Sequence, residues 1–517
     1  MPLGVTAAER PDAIATIMAR SGEQLTYREL DERSRRLANL FRAAGLGHGD
    51  VVAVFMENNI RFHEVYWATV RSGMYLCAVN RYLTPDEAAY IVNDSGASAL
   101  VTSAAMTTAP ALLPLLDACP VRLAVDGPVE GFDAYEPLLA EQSTDTPETE
   151  PLGDFMNYSS GTTGRPKGIK RPLTGRTFDE PSNLDTLTNQ LYGVEAGIVY
   201  LSPAPLYHSA PLAFTATVHS WGGTNVIMER FDAAESLALI ERHRVTHSQW
   251  VPTMFIRMLK LEEAERTRHD LSSHRVAIHA AAPCPVDVKK QMIDWWGPII
   301  YEYYGGTELN GLTYCTSEEW LAHEGSVGRA ILGTLHICDS KGRELPPGED
   351  GLIYFERDVK AFEYHNDPDK TAGSQHPTNP MWTKLGDIGR LDEDGFLYLS
   401  DRESFMIISG GVNIYPQEIE DAMVMHPDVA DVAVIGIPND DLGEEVLAVV
   451  QLAPGVDPDD ATRERLLAHA RERLARYKVP RGIDFSDQLP RLETGKLYKR
   501  KLRDEYLAAA AAESSGS

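Results

Sequence analysis

A short stretch between residues 158 and 168 combines the residue types that bind phosphate groups. It reads Tyr-Ser-Ser-Gly-Thr-Thr-Gly-Arg-Pro-Lys-Gly. Glycine lets the backbone turn its N–H groups towards a ligand, and hydroxyls and cations add donors and positive charge. A solvated Gly/Ser linker is the alternative interpretation, but a linker has no need of Arg165 and Lys167. The stretch lacks the G-x-x-x-x-G-K-[ST] order of the common nucleotide loop, so it predicts a different phosphate-binding loop.

This stretch resembles the phosphate loop of the adenylate-forming superfamily. That superfamily includes acyl-CoA synthetases, aryl-CoA ligases, luciferases and peptide-synthetase adenylation domains. Further segments resemble its motifs in the same order, so that the resemblance covers nearly the whole chain. These segments lie at 206–211, 251–254, 279–283, 301–308, 382–387, 401–402, 409–416 and 490–496. The resemblance implies a member of the acyl-CoA synthetase or fatty-acid–CoA ligase branch.

The resemblance implies a site for ATP and AMP. Thr307 would donate to the α-phosphate, and Glu308 would hold Mg²⁺ against the phosphates. Asp387 would accept the ribose hydroxyls, Arg402 would contact ribose and phosphate, and Lys496 would be the catalytic lysine. The implied nucleotide-binding residues are Ser159, Ser160, Gly161, Thr162, Thr163, Gly164, Lys167, Ala281, Ala282, Pro283, Tyr304, Gly305, Asp387 and Arg402.

The acid substrate is expected beside His208, in the Tyr-His-Ser-Ala-Pro segment. A lone histidine after an aromatic residue is commonly a core or surface residue, but the superfamily has a histidine or aromatic motif at this place. We therefore include His208 among the catalytic and acyl-pocket residues. Trp250, Phe255 and Tyr303 complete the expected pocket. An apolar, aromatic pocket indicates a fatty acid or a bulky acid that contains a ring.

The chain departs from the family pattern at three places. Ala280 replaces the glycine of a Gly-Ala-Ala-Pro segment, and Lys384 and Leu385 interrupt a Thr-Gly-Asp segment. Ser404 occupies the hinge position, where the family usually has Asp or Lys. A serine can still change its backbone angles, but it supplies no charge to hold either conformation.

The resemblance divides the chain into domains 1–401 and 402–507, followed by a disordered tail at 508–517. The small domain would be a mobile lid that presents Lys496 for adenylation. It would then rotate about Ser404 to bring a glycine turn to the thiol of coenzyme A. The residues expected to contact coenzyme A in that turn are Ser409, Gly410 and Gly411.

Local patterns predict an α/β fold with doubly wound parallel sheets. Thr26 and Glu29 form a capping box, followed by a helical apolar pattern that Gly45 stops. Residues 84–87, Thr-Pro-Asp-Glu, are expected to cap another helix, with the proline in its first turn. Thr462 is expected to begin a helix near the end of the chain. Apolar runs at 51–55, 76–79 and 98–102 alternate with these helices. Such alternation is typical of parallel strands with helical connections.

Composition excludes several classes of partner. With 517 residues the chain should form two or more domains, and its net charge of −28 argues against nucleic acid or an anionic membrane surface. We find no apolar run of about 18 residues and no signal peptide. The five cysteines are scattered without metal-ligand spacing, so reduced thiols in a cytoplasmic protein are expected.

Together these features predict a two-step ligase. ATP and a carboxylate would give an acyl-adenylate and pyrophosphate, and coenzyme A would then take the acyl group. A stand-alone enzyme that loads an acyl-carrier protein is one alternative. A nucleotide-binding pseudoenzyme is another, with Ser404 and the altered segment around Lys384 as signs of decay. A homodimer is possible.

Overall fold

The computed structural model describes residues 3–147, 149–159, 166–410, 412–439, 441–491 and 497–515. Its α-helices, numbered in chain order, are α1 (Leu3–Glu9), α2 (Tyr27–Ala43), α3 (Phe62–Val70), α4 (Pro85–Asp94), α5 (Tyr135–Ala140), α6 (Asn183–Tyr192), α7 (Ser209–Ser220), α8 (Ala233–His243), α9 (Pro252–Leu259), α10 (Glu263–Arg266), α11 (Val286–Trp296), α12 (Ser317–Ala322), α13 (Pro368–Gly373), α14 (Pro416–Met423), α15 (Asp460–Arg473) and α16 (Lys499–Ser515). A 3-10 helix spans Ala109–Leu115.

The strands are numbered in the same way. They are β1 (Ile14–Met18), β2 (Gln24–Thr26), β3 (Val51–Phe55), β4 (Tyr75–Ala78), β5 (Ala97–Ser103), β6 (Val121–Val125), β7 (Asp133–Ala134), β8 (Asp154–Ser159), β9 (Lys167–Lys170), β10 (Val199–Ser202), β11 (Thr224–Ile227), β12 (His247–Trp250), β13 (Val276–His279), β14 (Ile300–Tyr304), β15 (Leu312–Cys315), β16 (Arg329–Leu332), β17 (Thr334–Cys338), β18 (Gly351–Glu356), β19 (Glu363–Tyr364), β20 (Trp382–Leu391), β21 (Leu397–Arg402), β22 (Ile407–Ser409), β23 (Val412–Ile414), β24 (Val429–Asn439), β25 (Gly443–Leu452) and β26 (Gly482–Phe485).

Two large sheets form the centre of the N-terminal domain. One has the order β19-β9-β8-β4-β3-β5-β6-β7, and the other has the order β16-β15-β14-β13-β12-β10-β11-β1-β2. The strands in the middle of each sheet are parallel. Helices connect many of these strands, because a parallel connection needs a crossover. The predicted α/β fold class is confirmed, and the antiparallel strands at the sheet ends are a feature that the sequence patterns did not indicate.

Two smaller sheets complete the molecule. An antiparallel sheet of order β17-β18-β20-β21 ends the large domain, and β21 carries the predicted site residue Arg402. The small C-terminal domain contains a sheet of order β23-β22-β25-β24, with β26 parallel to β25. A turn at 403–405 lies between β21 and β22, and it contains the predicted hinge residue Ser404. The division at residues 401 and 402 and the mobility of the small domain stay predictions.

The predicted helices are present in the structure, with two differences from the sequence-based expectations. Thr26 and Glu29 form the predicted capping box at the start of α2. Helix α15 begins at Asp460 rather than at Thr462, because the side chain of Asp459 accepts a hydrogen bond from the Thr462 N–H and caps the helix. The tail also differs from the predicted disorder, since α16 continues to Ser515. Its alanine-rich sequence has high helix propensity.

Two further expectations concern thiols and membranes. All five cysteines are free, and burial raises the pKa of Cys77 to about 12. Cys284 is half-buried, and the other four are buried. Within the part of the chain that the structure describes, no helix is long and apolar enough to cross a bilayer.

A buried carboxylate joins three helices of the N-terminal domain. The side chain of Glu64 in α3 is fully buried and lies 2.7 Å from Nε of Arg33 in α2. It lies 2.8 Å from Nη1 of Arg61, and it accepts a hydrogen bond of 2.9 Å from Oη of Tyr135 in α5. Arg33 also pairs with Glu136, whose side chain is 50% exposed. Because a buried cation without its anion is costly, Glu64 should stabilise this region far more than Glu136 does.

We expect Glu64→Gln to lower the free energy of unfolding by about 3 kcal/mol, because it leaves two arginines without their buried counter-charge. Glu136→Gln, which alters an exposed pair on the same Arg33, should cost no more than about 1 kcal/mol. Urea unfolding followed by circular dichroism would measure both changes. Similar small losses in the two variants would contradict the assigned role of Glu64.

Candidate active site

The phosphate-loop stretch is carried by a β-hairpin. Strands β8 and β9 pair in antiparallel register, with Tyr158 opposite Gly168 and Ser159 opposite Lys167. The predicted loop residues Ser160, Gly161, Thr162, Thr163 and Gly164 lie outside the described residues. Their roles, and that of Ser159, stay predictions.

Close packing explains one glycine of this hairpin. A Cβ atom at Gly168 would lie 3.0 Å from the ring of Tyr158 and 3.1 Å from Cβ of His365. The Tyr158 hydroxyl donates to Oδ2 of Asp94 at 2.7 Å, which fixes the ring over the glycine. Gly168 therefore allows Tyr158 to pack across its own hairpin.

Lys167 is engaged by a carboxylate in this structure. Its Nζ donates to Oδ2 of Asp367, in the turn before α13. This hydrogen bond raises the pKa of Lys167. Lys167 keeps 31% of its side chain exposed, so the ammonium lies at an edge that a phosphate could reach.

Glu308 is held at the bottom of the candidate site. The residue is 8% exposed, and its Oε1 accepts a hydrogen bond of 2.9 Å from Oη of Tyr364. Its other oxygen would lie only 2.8 Å from a Cβ atom at Gly306, which would also meet Leu385 at 2.1 Å. The absence of a side chain at Gly306 thus leaves room for the Glu308 carboxylate. The sequence patterns did not indicate Tyr364 as a partner.

The predicted ribose-binding residues form one network. Asp387 and Arg402 face each other across β20 and β21, with 3.0 Å between Asp387 Oδ1 and Arg402 Nε. Oη of Tyr304 donates to the other carboxylate oxygen of Asp387 at 2.7 Å. Burial and the adjacent Asp387 charge raise the pKa of Tyr304. Burial is the largest single influence on Arg402 and opposes its charge, but the combined fields of Asp387, Tyr304, Glu308 and Asp401 raise the pKa of Arg402.

The segment after β13 contains a strained alanine. Ala281 has a φ of 77°, in the left-handed region that favours glycine. We predicted the missing glycine at Ala280, but the structure places the glycine-like conformation at the next residue. A non-glycine residue in this region costs about 1 to 2 kcal/mol, and such strain is concentrated at functional sites. Ala281, Ala282 and Pro283 line the cavity described below.

The predicted acyl-pocket residues are only partly brought together. Tyr303 and Trp250 line the cavity, whereas Phe255 packs behind Trp250 in the core, against Trp296 and His279. The structure therefore corrects the assignment of Phe255, whose place on the buried face of α9 could not be fixed from its neighbours in sequence. Gln249 is a wall residue that the sequence analysis missed, and its Nε2 donates to Oη of Tyr303 at 3.1 Å.

His208 also lines the cavity, at the residue before α7. Its Nε2 is buried and has no hydrogen-bond partner among the described residues. Burial lowers the pKa of His208 to about 3, so the imidazole is neutral across the physiological pH range. A neutral ring suits the wall of an acyl pocket better than it suits a source of positive charge.

These groups share one cavity of about 1490 Å³. Thr307, Glu308 and Lys167 line it together with Tyr304, Gly305, Asp387 and Arg402 of the nucleotide segments, and with His208 and Tyr303 of the acyl segments. Single small-molecule pockets occupy roughly 300 to 1,000 Å³, so this cavity has room for more than one ligand.

The small domain closes one side of the cavity. Gln417, Glu420 and Asp421 of α14 line it, and so do Arg491 and Leu497, which flank the undescribed segment 492–496. The predicted catalytic residue Lys496 lies in that segment, outside the described residues. Its role stays a prediction.

The predicted CoA-binding residues lie elsewhere in this structure. Ser409 pairs with Gly443, and the Gly410 N–H donates to the carbonyl of Leu442 at 2.8 Å. Gly411 is outside the described residues. Ser404 lines a separate cavity of about 240 Å³. The residues of the glycine turn and those of the large cavity are therefore not brought together in this orientation of the small domain.

The cavity offers one carboxylate as a ligand for magnesium, which fits an ion that is held chiefly by phosphates. The described residues contain no cluster of three or more His, Cys, Asp or Glu side chains that could hold a metal ion. Glu308 nevertheless presents a carboxylate to the cavity. Mg²⁺ in phosphate-transfer sites is commonly bound through one or two carboxylates and the substrate phosphates, so Glu308 fits that role.

We expect Gly306→Ala to weaken binding of magnesium-loaded ATP by about tenfold, since its Cβ would displace Leu385 and the Glu308 carboxylate. Adding Leu385→Ala should restore part of the affinity, because it removes one of the two clashes. Gly373→Ala, where a Cβ meets nothing within 4 Å, is the matched control. Titration calorimetry would measure the affinities, and equal affinities for Gly306→Ala and the control would contradict this account.

Comparisons with known proteins match both parts of this chain. Residues 3–364 match the family described as AMP-binding enzyme, and residues 418–496 match the AMP-binding enzyme C-terminal domain. The long-chain-fatty-acid–CoA ligase FadD13 of Mycobacterium tuberculosis is 30% identical, with 94% of each chain covered. The feruloyl-CoA synthase of an Amycolatopsis species is 33% identical, over 95% of this chain and 96% of that protein.

The fold agrees as well. The structure of ATP-bound MatB from Rhodopseudomonas palustris superposes with a TM-score of 0.80 at 28% identity, covering 98% of this chain and 99% of that chain. The family match includes most of the chain and contains the phosphate-loop hairpin, Thr307 and Glu308. The resemblance predicted from the motifs is therefore confirmed, and the chain belongs to the AMP-binding enzyme family, in the acyl-CoA synthetase branch of the adenylate-forming superfamily.

Proposed function

We propose that this protein is an ATP-dependent carboxylic acid–CoA ligase. In the first step a carboxylate oxygen attacks the α-phosphorus of ATP, which gives an acyl-adenylate and releases pyrophosphate. In the second step the sulfur of coenzyme A attacks the acyl carbon, the thiol proton is lost, and AMP leaves. The products are an acyl-CoA thioester, AMP and pyrophosphate.

One observation carries this proposal. Expected ATP-binding residues such as Lys167, Asp387 and Arg402 line the same cavity as the expected acid-binding residues His208, Trp250 and Tyr303, and the small domain borders this cavity. Tyr303 belongs to the expected acyl pocket, and Tyr304 belongs to the hydrogen-bonded network with Asp387. They are consecutive residues of β14, so the two groups adjoin on one strand. This arrangement supports the binding of an acid beside the α-phosphate, as direct attack requires.

The first step brings two anions together, so positive charge and hydrogen-bond donors have to be in place beforehand. Arg402 and Lys167 line the cavity and supply charge, and Thr307 supplies a hydroxyl donor. Lys496 would add a further charge beside the α-phosphate. Support for this role comes from Arg491 and Leu497, which flank the segment that contains Lys496 and border the cavity.

We assign Mg²⁺ binding to Glu308. The ion would neutralise phosphate charge when ATP is bound. Glu308 itself is fixed by the hydrogen bond from Tyr364 and by the space at Gly306. Asp387, held between Tyr304 and Arg402, orients the ribose.

For the second step we propose that the small domain rotates about the turn at Ser404. Ser409 and Gly410 lie away from the cavity here, paired with the segment at 442–443. A rotation would bring this turn, including Gly411, towards the thiol and remove the segment around Lys496. This assigns residues 1–401 to the adenylating domain and 402–507 to the lid.

We propose a hydrophobic acid as the substrate. Trp250 and Tyr303 form part of the wall, and the imidazole of His208 is uncharged. An apolar wall with few polar groups accepts an alkyl chain or an aromatic ring more readily than a charged group. The cytoplasmic location and the possible homodimer stay predictions.

The test is a panel of acids that includes dodecanoate and ferulate, scored by pyrophosphate release in the presence of ATP and Mg²⁺. We expect release that depends on the acid, and a CoA thioester when coenzyme A is added without any carrier protein. Thioester formation only on an added acyl-carrier protein would favour the carrier-loading alternative. ATP binding without acid-dependent pyrophosphate release would favour the pseudoenzyme.

Lys496→Ala should separate the two steps. At ~4 Å and an effective dielectric of about 20, the attraction between the lysine charge and one unit of negative charge contributes roughly 4 kcal/mol. At about 1.4 kcal/mol for each factor of ten, adenylation should slow by on the order of a thousandfold. Thioester formation from a pre-made acyl-adenylate and coenzyme A should be nearly unchanged.

Lys501→Ala, an exposed lysine five residues further on, is the control. It should leave both steps at the parental rate. Equal losses in both steps for Lys496→Ala would show that Lys496 supports the structure of the small domain and not the adenylation chemistry.

A further inference from the structure

A lysine of the large domain reaches across to the small domain. Lys260 directly follows α9, and its Nζ donates to three backbone carbonyls at the two ends of the turn between α14 and β24. One belongs to Val424, just after α14, and the others belong to Val429 and Ala430, the first two residues of β24. The distances are 3.0 Å to Val424, 2.6 Å to Val429 and 3.4 Å to Ala430. An ammonium has three protons to donate, so one side chain engages the whole turn.

The position of this contact favours a cation. Val424 is the C-cap residue directly after α14, and its carbonyl lies at the negative end of the helix dipole. Apolar packing continues beside it, because Met254 of α9 and Met423 of α14 belong to one buried cluster. Lys260 therefore adds three hydrogen bonds to an interface that also contains apolar packing and a hydrogen bond of 3.1 Å from the Gln417 N–H to Oδ2 of Asp401.

The turn that Lys260 holds is connected to the segment expected to contain the catalytic lysine. Asp431 follows Ala430 in β24, and both of its carboxylate oxygens accept hydrogen bonds from the guanidinium of Arg491. The distance from Arg491 Nη2 to Asp431 Oδ1 is 2.6 Å. Arg491 lines the large cavity and precedes segment 492–496. The contacts thus run from Lys260, through the turn and Asp431, to the start of that segment.

We infer that Lys260 is an interdomain latch, a positioning residue that holds the small domain in the orientation used for adenylation. This inference rests on the proposed function. The latch has to open before the small domain can rotate for thioester formation, so Lys260 acts on the first step and not on the second. The latch opens when the small domain moves away from Lys260.

The experiment compares the two half-reactions. Lys260→Met removes the ammonium from an exposed residue, so the variant should fold. Acid-dependent exchange of pyrophosphate into ATP should fall about tenfold in kcat, the factor that corresponds to losing one charge-assisted hydrogen bond. The KM for ATP should stay nearly constant, because Lys260 touches no substrate. Thioester formation from a pre-made adenylate of dodecanoate or ferulate should keep its parental rate or increase.

Two further variants test the mechanism. Lys260→Arg retains the charge and the donors and should restore most of the exchange rate. Lys290→Met is the matched control, because Lys290 forms an exposed pair with Glu324 inside the large domain. It should change neither half-reaction.

A measurement without catalysis separates this inference from the proposed function. Spin labels on Ala264→Cys and Ala461→Cys, both exposed positions, would report the distance between the domains. The parent should give a narrow distribution, and Lys260→Met should broaden or shift it while Lys290→Met leaves it unchanged. An unchanged distribution in Lys260→Met, or an equal loss in both half-reactions, would overturn the latch. If the parent turned over no acid, the proposed function would fail while the distance measurement still decided the latch.

Discussion

The hydrogen-bonded group formed by Tyr304, Asp387 and Arg402 is the interaction on which the site depends. It joins the end of β14, in one large sheet, to β20 and β21, in the antiparallel sheet that precedes the small domain. Because the paired charges are largely removed from water, removal of any member would leave a polar group without its partner. The group thus holds the end of β14 against β20 and β21 at one wall of the large cavity.

The sequence predicted the fold class because the relevant signals are local. A capping box such as Thr26–Glu29 involves residues one helical turn apart, and short apolar runs such as 51–55 form strands regardless of distant partners. Motif order then predicted which side chains meet, and Thr307, Glu308, Asp387 and Arg402 do line one cavity. Boundaries were less predictable, as α15 shows, because competing caps at Asp459 and Thr462 lie only three residues apart.

The remaining details depend on contacts between distant residues. Tyr364 binds Glu308 from 56 residues away, and Lys167 meets Asp367 across 200 residues. A local sequence pattern does not predict contacts between residues so far apart in the chain. The place of Phe255 behind Trp250 and the left-handed backbone at Ala281 likewise follow from how α9 and β13 pack. They are properties of the assembled sheet and not of the segment in isolation.

The pairing of Lys167 with Asp367 has a consequence for the exchange of ligands. The protein carries an internal anion at the place where an external phosphate would bind. An incoming phosphate must displace the Asp367 carboxylate from Lys167 or share the ammonium with it. When the phosphate leaves, the ion pair between Asp367 and Lys167 forms again. If Lys167 binds phosphate as proposed, the tethered anion lowers the affinity of the site for any phosphate-bearing ligand. The same competition favours release of the phosphate-bearing product after a reaction.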